Sequence, residues 1–238
     1  MKILITGDSH TGALSQGLAQ VRDGLPGGID IVVKPLGGGH ILPTPFFRDA
    51  GTYAQIVDPD YRRNFHRLPP HAINADMIAL SAPLWPMRVM HQMVWPRHSI
   101  DAAIPGGQPI SRAVFRRLVM EDQGQVLALC ALLQRVGMPV LAVSPPVMFR
   151  DHATLRQMAP EHVRAMFDGY RAIMLEELAA RHIPVLDVPP DCVDADGFMR
   201  PEYRHENPED EHHANAAFGA LMIRQLAALA PSLLARAH

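Results

Sequence analysis

Cysteine is almost missing from this chain: Cys130 and Cys192 are its only two in 238 residues, too few for a disulfide framework. Cys130 stands among Leu127, Leu129, Leu132 and Leu133, the surroundings of a small buried apolar side chain rather than of a nucleophile. Lysine is as scarce, with Lys2 and Lys34 alone, and the arginines are scattered instead of forming a run. With a formal net charge of −2 there is no basic face for a polyanion, which argues against a nucleic-acid partner. Long apolar runs are also lacking. The N-terminal stretch Met1–Thr6 is too short for a signal peptide, and no segment reads as the ~20 apolar residues of a membrane span. The expectation is a soluble cytoplasmic protein without a membrane partner. Internal repeats and low-complexity tracts are absent too.

What remains is an ordinary globular balance, 48% hydrophobic and 19% charged residues, in a chain long enough to bury a substantial core. Five short β-branched runs stand out at Lys2–Thr6, Ile29–Lys34, Met77–Ser81, Pro139–Ser144 and Pro184–Val188. Each is nearly continuous in apolar character, as in a parallel sheet covered on both faces. Helical patterns lie between them, at Thr11–Arg22, Gln123–Val136, Glu161–Arg181 and about Ala214–Leu234. Strands alternating with helices predict an α/β protein, a three-layer α/β/α sandwich on a five-stranded parallel sheet, over residues 1–238 as one domain. Two connections, 36–76 and 82–111, exceed what crossovers need and are rich in Pro, Gly and His. Loops of that length are read as binding loops or lids near the site, with surface excursions as the alternative.

Ser9 follows the first predicted strand in Gly7-Asp8-Ser9-His10 and precedes a helix. A hydroxyl there lies near free backbone N–H groups and the positive end of the helix dipole, which suits attack on a carbonyl. Serine is equally a favoured helix N-cap, and Gly-Asp is ordinary turn chemistry. The other end of the chain adds weight. Before the last helix comes Glu209-Asp210-Glu211-His212-His213-Ala214-Asn215, where Asp210 and His213 are three residues apart. One loop can present both, the carboxylate orienting the imidazole that takes the serine proton. In a doubly wound sheet, loops at the carboxyl ends of the strands meet on one edge.

With Gly7-Asp8-Ser9 after strand one and Asp210-x-x-His213 before the last helix, the chain resembles the SGNH/GDSL hydrolase superfamily over essentially its whole length. The resemblance implies a flavodoxin-like five-stranded α/β/α fold and an esterase that works through an acyl-enzyme without metal or other cofactor. It also implies Ser9 as nucleophile, His213 as general base and Asp210 as the orienting acid. The substrate class it implies is a small-molecule acyl ester or an acylated carbohydrate. The glycine that gives an oxyanion-hole N–H after strand two falls in Gly37-Gly38-Gly39-His40, with Gly39 the best register and Gly38 the next, beside the N–H of Ser9 itself.

One family position is not matched. The family's Gly-x-Asn-Asp follows strand three, whereas here that strand runs into Ser81-Ala82-Pro83-Leu84-Trp85. The four asparagines are Asn64, Asn74, Asn207 and Asn215, and none occupies that place. Losing such a donor typically costs ~10²–10³ in turnover, so Ser81, the Trp85 indole or Asn64 stands as a substitute. His10, in place of the family's Leu, and Trp85 are substrate-binding candidates. Met87–Trp95 reads as an apolar acyl-binding wall or as core packing. His205, Glu206, Asp210, His212 and His213 could in principle hold a divalent ion, yet no H-E-x-x-H or cysteine zinc pattern occurs, so no metal is expected. The alternatives to an esterase are an acyltransferase to a sugar hydroxyl on the same triad and a non-catalytic ligand-binding protein on the same fold. A homo-oligomer is compatible with either.

Overall fold

The computed structural model describes residues 1–90, 98–100 and 107–237. Its centre is a five-stranded, all-parallel sheet of β1 (Lys2–Gly7), β2 (Asp30–Val33), β6 (Met77–Ser81), β9 (Val140–Val143) and β10 (Val185–Leu186), in the order β10-β9-β6-β1-β2. All five strands coincide with the five β-branched runs, trimmed or extended by a residue or two where pairing stops. This is the three-layer α/β/α architecture.

The layers follow from the two-residue side-chain period of a strand. Ile3 and Ile5 of β1, Met77 and Ala79 of β6, and Leu141 and Val143 of β9 are buried in one cluster with Leu14, Leu18, Phe218, Met222 and Leu226. Those last five come from α1 (Thr11–Val21) and α5 (Ala216–Ala237). The alternate residues Leu4, Ile78, Leu80, Val140 and Ala142 are buried in a second cluster with Val119, Val126, Leu133, Met166 and Ile173. These belong to α3 (Arg112–Arg135) and α4 (Pro160–Ala180). The two helices are pinned by a buried polar pair, the Tyr170 hydroxyl donating to Asp122 at 2.8 Å.

Three elements differ from the sequence expectation. Helix α3 begins at Arg112, eleven residues before the predicted start. The Ser111 hydroxyl caps it by accepting from the Val114 N–H at 3.2 Å, and Phe115 and Val119, one turn apart, supply a buried face. Segment 36–76 is no flexible excursion. It holds a three-stranded antiparallel sheet of β3 (Phe47–Asp49), β4 (Ala54–Ile56) and β5 (Arg67–Leu68), and it buries Leu36, Leu42, Phe46, Tyr61 and Leu68 in the second cluster. Helix α5 is long and apolar enough, at a mean hydropathy of 1.5 over Ala216–Ala235, to pass as a membrane span by length and composition, contrary to the reading of the sequence. In the fold its apolar face, with Phe218, Met222, Ile223, Leu226 and Ala230, packs on α1 and the sheet. The short elements α2 (Met87–Met90), β7 (His98–Ser99) and β8 (Gln108–Pro109) lie in the second long connection.

Cys130 is fully buried, and burial pushes its thiol up to about 12, which fits a packing role. Of the Met87–Trp95 stretch, Val89 and Met90 are buried in the second cluster, whereas Met93, Val94 and Trp95 lie outside the described residues.

Candidate active site

Strand β1 ends on Gly7, whose φ is +148°. A Cβ there would sit 1.9 Å from the Ser81 carbonyl oxygen, so only glycine lets β1 and β6 close up at this edge. The chain then turns sharply. The Asp8 N–H donates to the Ser81 carbonyl at 2.9 Å, and the Asp8 carbonyl accepts from the Thr11 N–H at 3.1 Å and the Thr11 hydroxyl at 2.6 Å. The N-cap of α1 is His10, and it makes no side-chain capping bond. Ser9 is therefore not the cap. Its hydroxyl is 2.8 Å from Nε2 of His213.

His213 and Asp210 come from the loop between β10 and α5. That loop is held by the His205 N–H donating to the His213 carbonyl at 3.2 Å and by the Asn215 N–H donating to the Tyr203 carbonyl at 2.9 Å. Asn215 ends it: the side-chain oxygen accepts from the N–H groups of Ala217 (3.1 Å) and Phe218 (3.2 Å), capping α5, while its amide donates to the Glu202 carbonyl at 2.8 Å. The three-residue step then lets Asp210 fold onto His213 twice. Nδ1 lies 2.8 and 3.0 Å from the two carboxylate oxygens, and the His213 N–H donates to Oδ1 at 3.0 Å.

Burial opposes charge on Asp210. Hydrogen bonds from the His213 N–H and imidazole, the nearby His213 ring and the His212 N–H outweigh it and hold the carboxyl down at about 2. The Nδ1 atoms of His212 and His205 lie farther from this carboxylate than that of His213, at 3.7 and 3.9 Å. Ligand atoms of Asp210, His212 and His213 lie within 4.8 Å of one another and so could meet one cation, but two of the three are tied into the hydrogen-bonded chain that reaches Ser9.

A cleft of about 490 Å³ opens over Ser9, lined by Asp8, Ser9, His10, Gly39, His40, Trp85, His152, Ala153, Glu209, Glu211 and His212. Of the sequence candidates, His10, Gly39 and Trp85 stand in this wall. The buried rings of His10 and Trp85 meet edge-on at 4.5 Å, and His10 is 5.0 Å from the His213 ring. Gly38 is one residue back. Its carbonyl accepts from the Tyr61 hydroxyl at 2.8 Å, and its N–H, like that of Ser9, has no hydrogen-bond partner among the described residues. Two of the three substitutes for the absent asparagine stand elsewhere. Asn64 donates its amide to the Leu36 carbonyl at 3.2 Å, and Ser81 is buried outside the cleft wall. Trp85 alone of the three lines the cleft.

His40, His152, Ala153 and the two glutamates carried no signal in the sequence. The first two come from connections at the carboxyl edge of the sheet, where the strand-order rule directs attention but singles out no residue. Glu211 joins two walls. Its carboxylate accepts from the Ala153 N–H at 2.7 Å and pairs with Arg156. Burial opposes its charge too, and those two partners outweigh it and lower its carboxyl. A second ion pair, Arg204 with Asp151 at 2.9 Å, ties the same two segments.

No protein-family model matches the sequence, and no curated protein matches it. Solved structures do resemble the fold. A candidate acylhydrolase from Bacteroides fragilis superposes with a TM-score of 0.53 at 12% identity, covering 100% of this chain and 88% of its own. The acetyl xylan esterase AlAXEase gives 0.50 at 14% identity over 95% of this chain and 98% of its own. A GDSL-like lipase from Bacteroides thetaiotaomicron gives 0.50 at 13% identity over 100% and 89%. At such identities the likeness is one of fold. Together with the parallel sheet and its strand order, it establishes that this chain has the fold of the SGNH/GDSL hydrolases.

Proposed function

We propose that the protein is a serine esterase that hydrolyses a small O-acyl ester. The observation that carries this reading is the unbroken chain from Ser9 Oγ through the His213 ring to the Asp210 carboxylate, at 2.8 Å on both sides of the imidazole. His213 takes the Ser9 proton as the oxygen attacks the ester carbonyl, and Asp210 stabilises the imidazolium that forms. The same ring then protonates the leaving alkoxide, and water, activated in turn by His213, releases the acyl group from Ser9. The N–H groups of Ser9 and of the Gly38-Gly39 turn are the oxyanion donors in this reading, with the Trp85 indole in place of the family's asparagine.

The cleft wall favours an uncharged, hydroxyl-rich substrate such as an acylated carbohydrate. Among the described residues it carries no Lys or Arg to meet an anion, and it offers Trp85, several imidazoles and three carboxylates as hydrogen-bonding and stacking partners. The test is labelling by a fluorophosphonate, read by peptide mass spectrometry, together with turnover of p-nitrophenyl acetate. Labelling of Ser9 and loss of both signals in Ser9→Ala are expected. Turnover that survives Ser9→Ala, or is abolished by a chelator instead, would overturn the reading. Product analysis with a sugar acceptor present separates hydrolysis from acyl transfer on the same triad.

A further inference from the structure

Helices α1 and α5 cross with almost no side chain between them. A Cβ on Gly17 would lie 2.2 Å from the Ala220 nitrogen, and one on Gly219 would lie 1.8 Å from the Ala13 carbonyl oxygen. Both obstacles are backbone atoms, which cannot swing aside. Ala13 and Ala220, each buried, stand at this closest point of the crossing. Helix packing distance is set by the side chains at the contact, so at these two glycines the backbones approach closely.

The position of the crossing gives it a consequence for the site. Ala13 stands four residues after Ser9, and Gly219 stands six after His213. Each helix starts directly behind one member of the triad, since α1 opens at Thr11 and α5 at Ala216. Ser9 and His213 are 204 residues apart in sequence and touch through one bond of 2.8 Å. The two helices behind them are rigid elements joined within about two turns of those residues. We propose that Gly17 and Gly219 are positioning residues of this enzyme: the side-chain-free crossing of α1 and α5 sets the separation of Ser9 and His213. The inference rests on the proposed triad.

A methyl group at 219 must push α5 back by roughly 1.5 Å before it reaches ordinary van der Waals contact with Ala13. That displacement changes the separation of His213 from Ser9. A misplacement of this size is enough to cost about 10²-fold in rate. The walls supplied by Gly39, Trp85 and His152 are on other elements and keep their place, whereas Glu209, Glu211 and His212 precede α5 and move with it.

The test compares wild type, Gly219→Ala and Gly124→Ala, with active protein counted by its folded fraction from a cooperative melt. Residue 124 is the control, because a Cβ there meets no atom within 4 Å. Gly219→Ala is expected to lower kcat on p-nitrophenyl acetate and the fluorophosphonate labelling rate by about 10²-fold, more than any accompanying change in KM. Gly124→Ala keeps both. A merely structural role would lower Tm and leave kcat of the folded fraction unchanged, and that result overturns the proposal. Should Gly219→Ala not fold, Gly17→Ala widens the same crossing by less, its Cβ starting 2.2 Å rather than 1.8 Å from backbone, and is expected to lose at least about tenfold in kcat; wild-type kcat there is again the overturning result. If wild type itself is neither labelled nor active, the triad fails first, independently of the crossing.

Discussion

Asp210 shows how a single carboxylate couples stability to the proposed chemistry. Its folded-state value near 2 is below the ordinary 3.8, so folding favours the ionised form. The sign follows: the unfolded chain binds the proton more tightly, and the stabilisation is fully present above about pH 4 and lost as pH falls through about 2. Urea unfolding between pH 2 and 5 should therefore show a loss of stability on acidification that is smaller by about 2 kcal/mol in Asp210→Asn than in wild type. The same variant leaves His213 without its orienting partner, and kcat on p-nitrophenyl acetate should fall by about 10²- to 10⁴-fold with KM little changed. At this scale the sequence was most informative. Ser9, Asp210 and His213 were all legible, because a three-residue step within one loop is local geometry. Whether Ser9 capped a helix was not legible, since the cap at His10 depends on the turn that Gly7 and Ser81 impose.

Among the elements, the segment after β9 and the loop before α5 act together through Glu211. Of its two partners, the Ala153 N–H lies next to His152 in the cleft wall and Arg156 follows three residues later, while its neighbours in sequence are Asp210 and His212. Glu211→Gln removes the ion pair and weakens the bond to Ala153, so the substrate wall loosens while the bonds of His213 to Asp210 and Ser9 remain. KM is expected to rise severalfold with kcat within about threefold, and salt should raise wild-type KM in the same direction, because the pair with Arg156 is partly exposed. Steady-state kinetics at two ionic strengths measure both effects. None of this could be read from sequence, where Glu211 is one acid among three in Glu209–Glu211. The early start of α3 was missed for a different reason. Residues 112–122 carry three arginines, Arg112, Arg116 and Arg117, and only the burial of Phe115 and Val119 against α4 and the sheet makes them one face of a helix.

For the whole molecule, the close approach of β1 to β6 at Gly7 is where sheet stability and site geometry meet. Gly7→Ala places a methyl group 1.9 Å from the Ser81 carbonyl at a φ of +148°, so the sheet must spread at its carboxyl edge. A loss of about 3 kcal/mol or more in urea denaturation is expected, along with loss of Ser9 labelling in whatever fraction folds. Gly124→Ala, with open space around it, should instead gain about 0.5–1 kcal/mol by helix propensity. The sequence by itself determined the five strands, the four main helices and the parallel architecture. Apolar runs and helical periodicity are properties of neighbouring residues, and chain connectivity does the rest. It also determined the candidate triad, whose members are short motifs on either end of the chain. Only the tertiary structure decided which groups surround Ser9. The cleft wall is drawn from segments that are distant in sequence. The spacing of Ser9 and His213 depends on two glycines whose only distinction is what lies across from them.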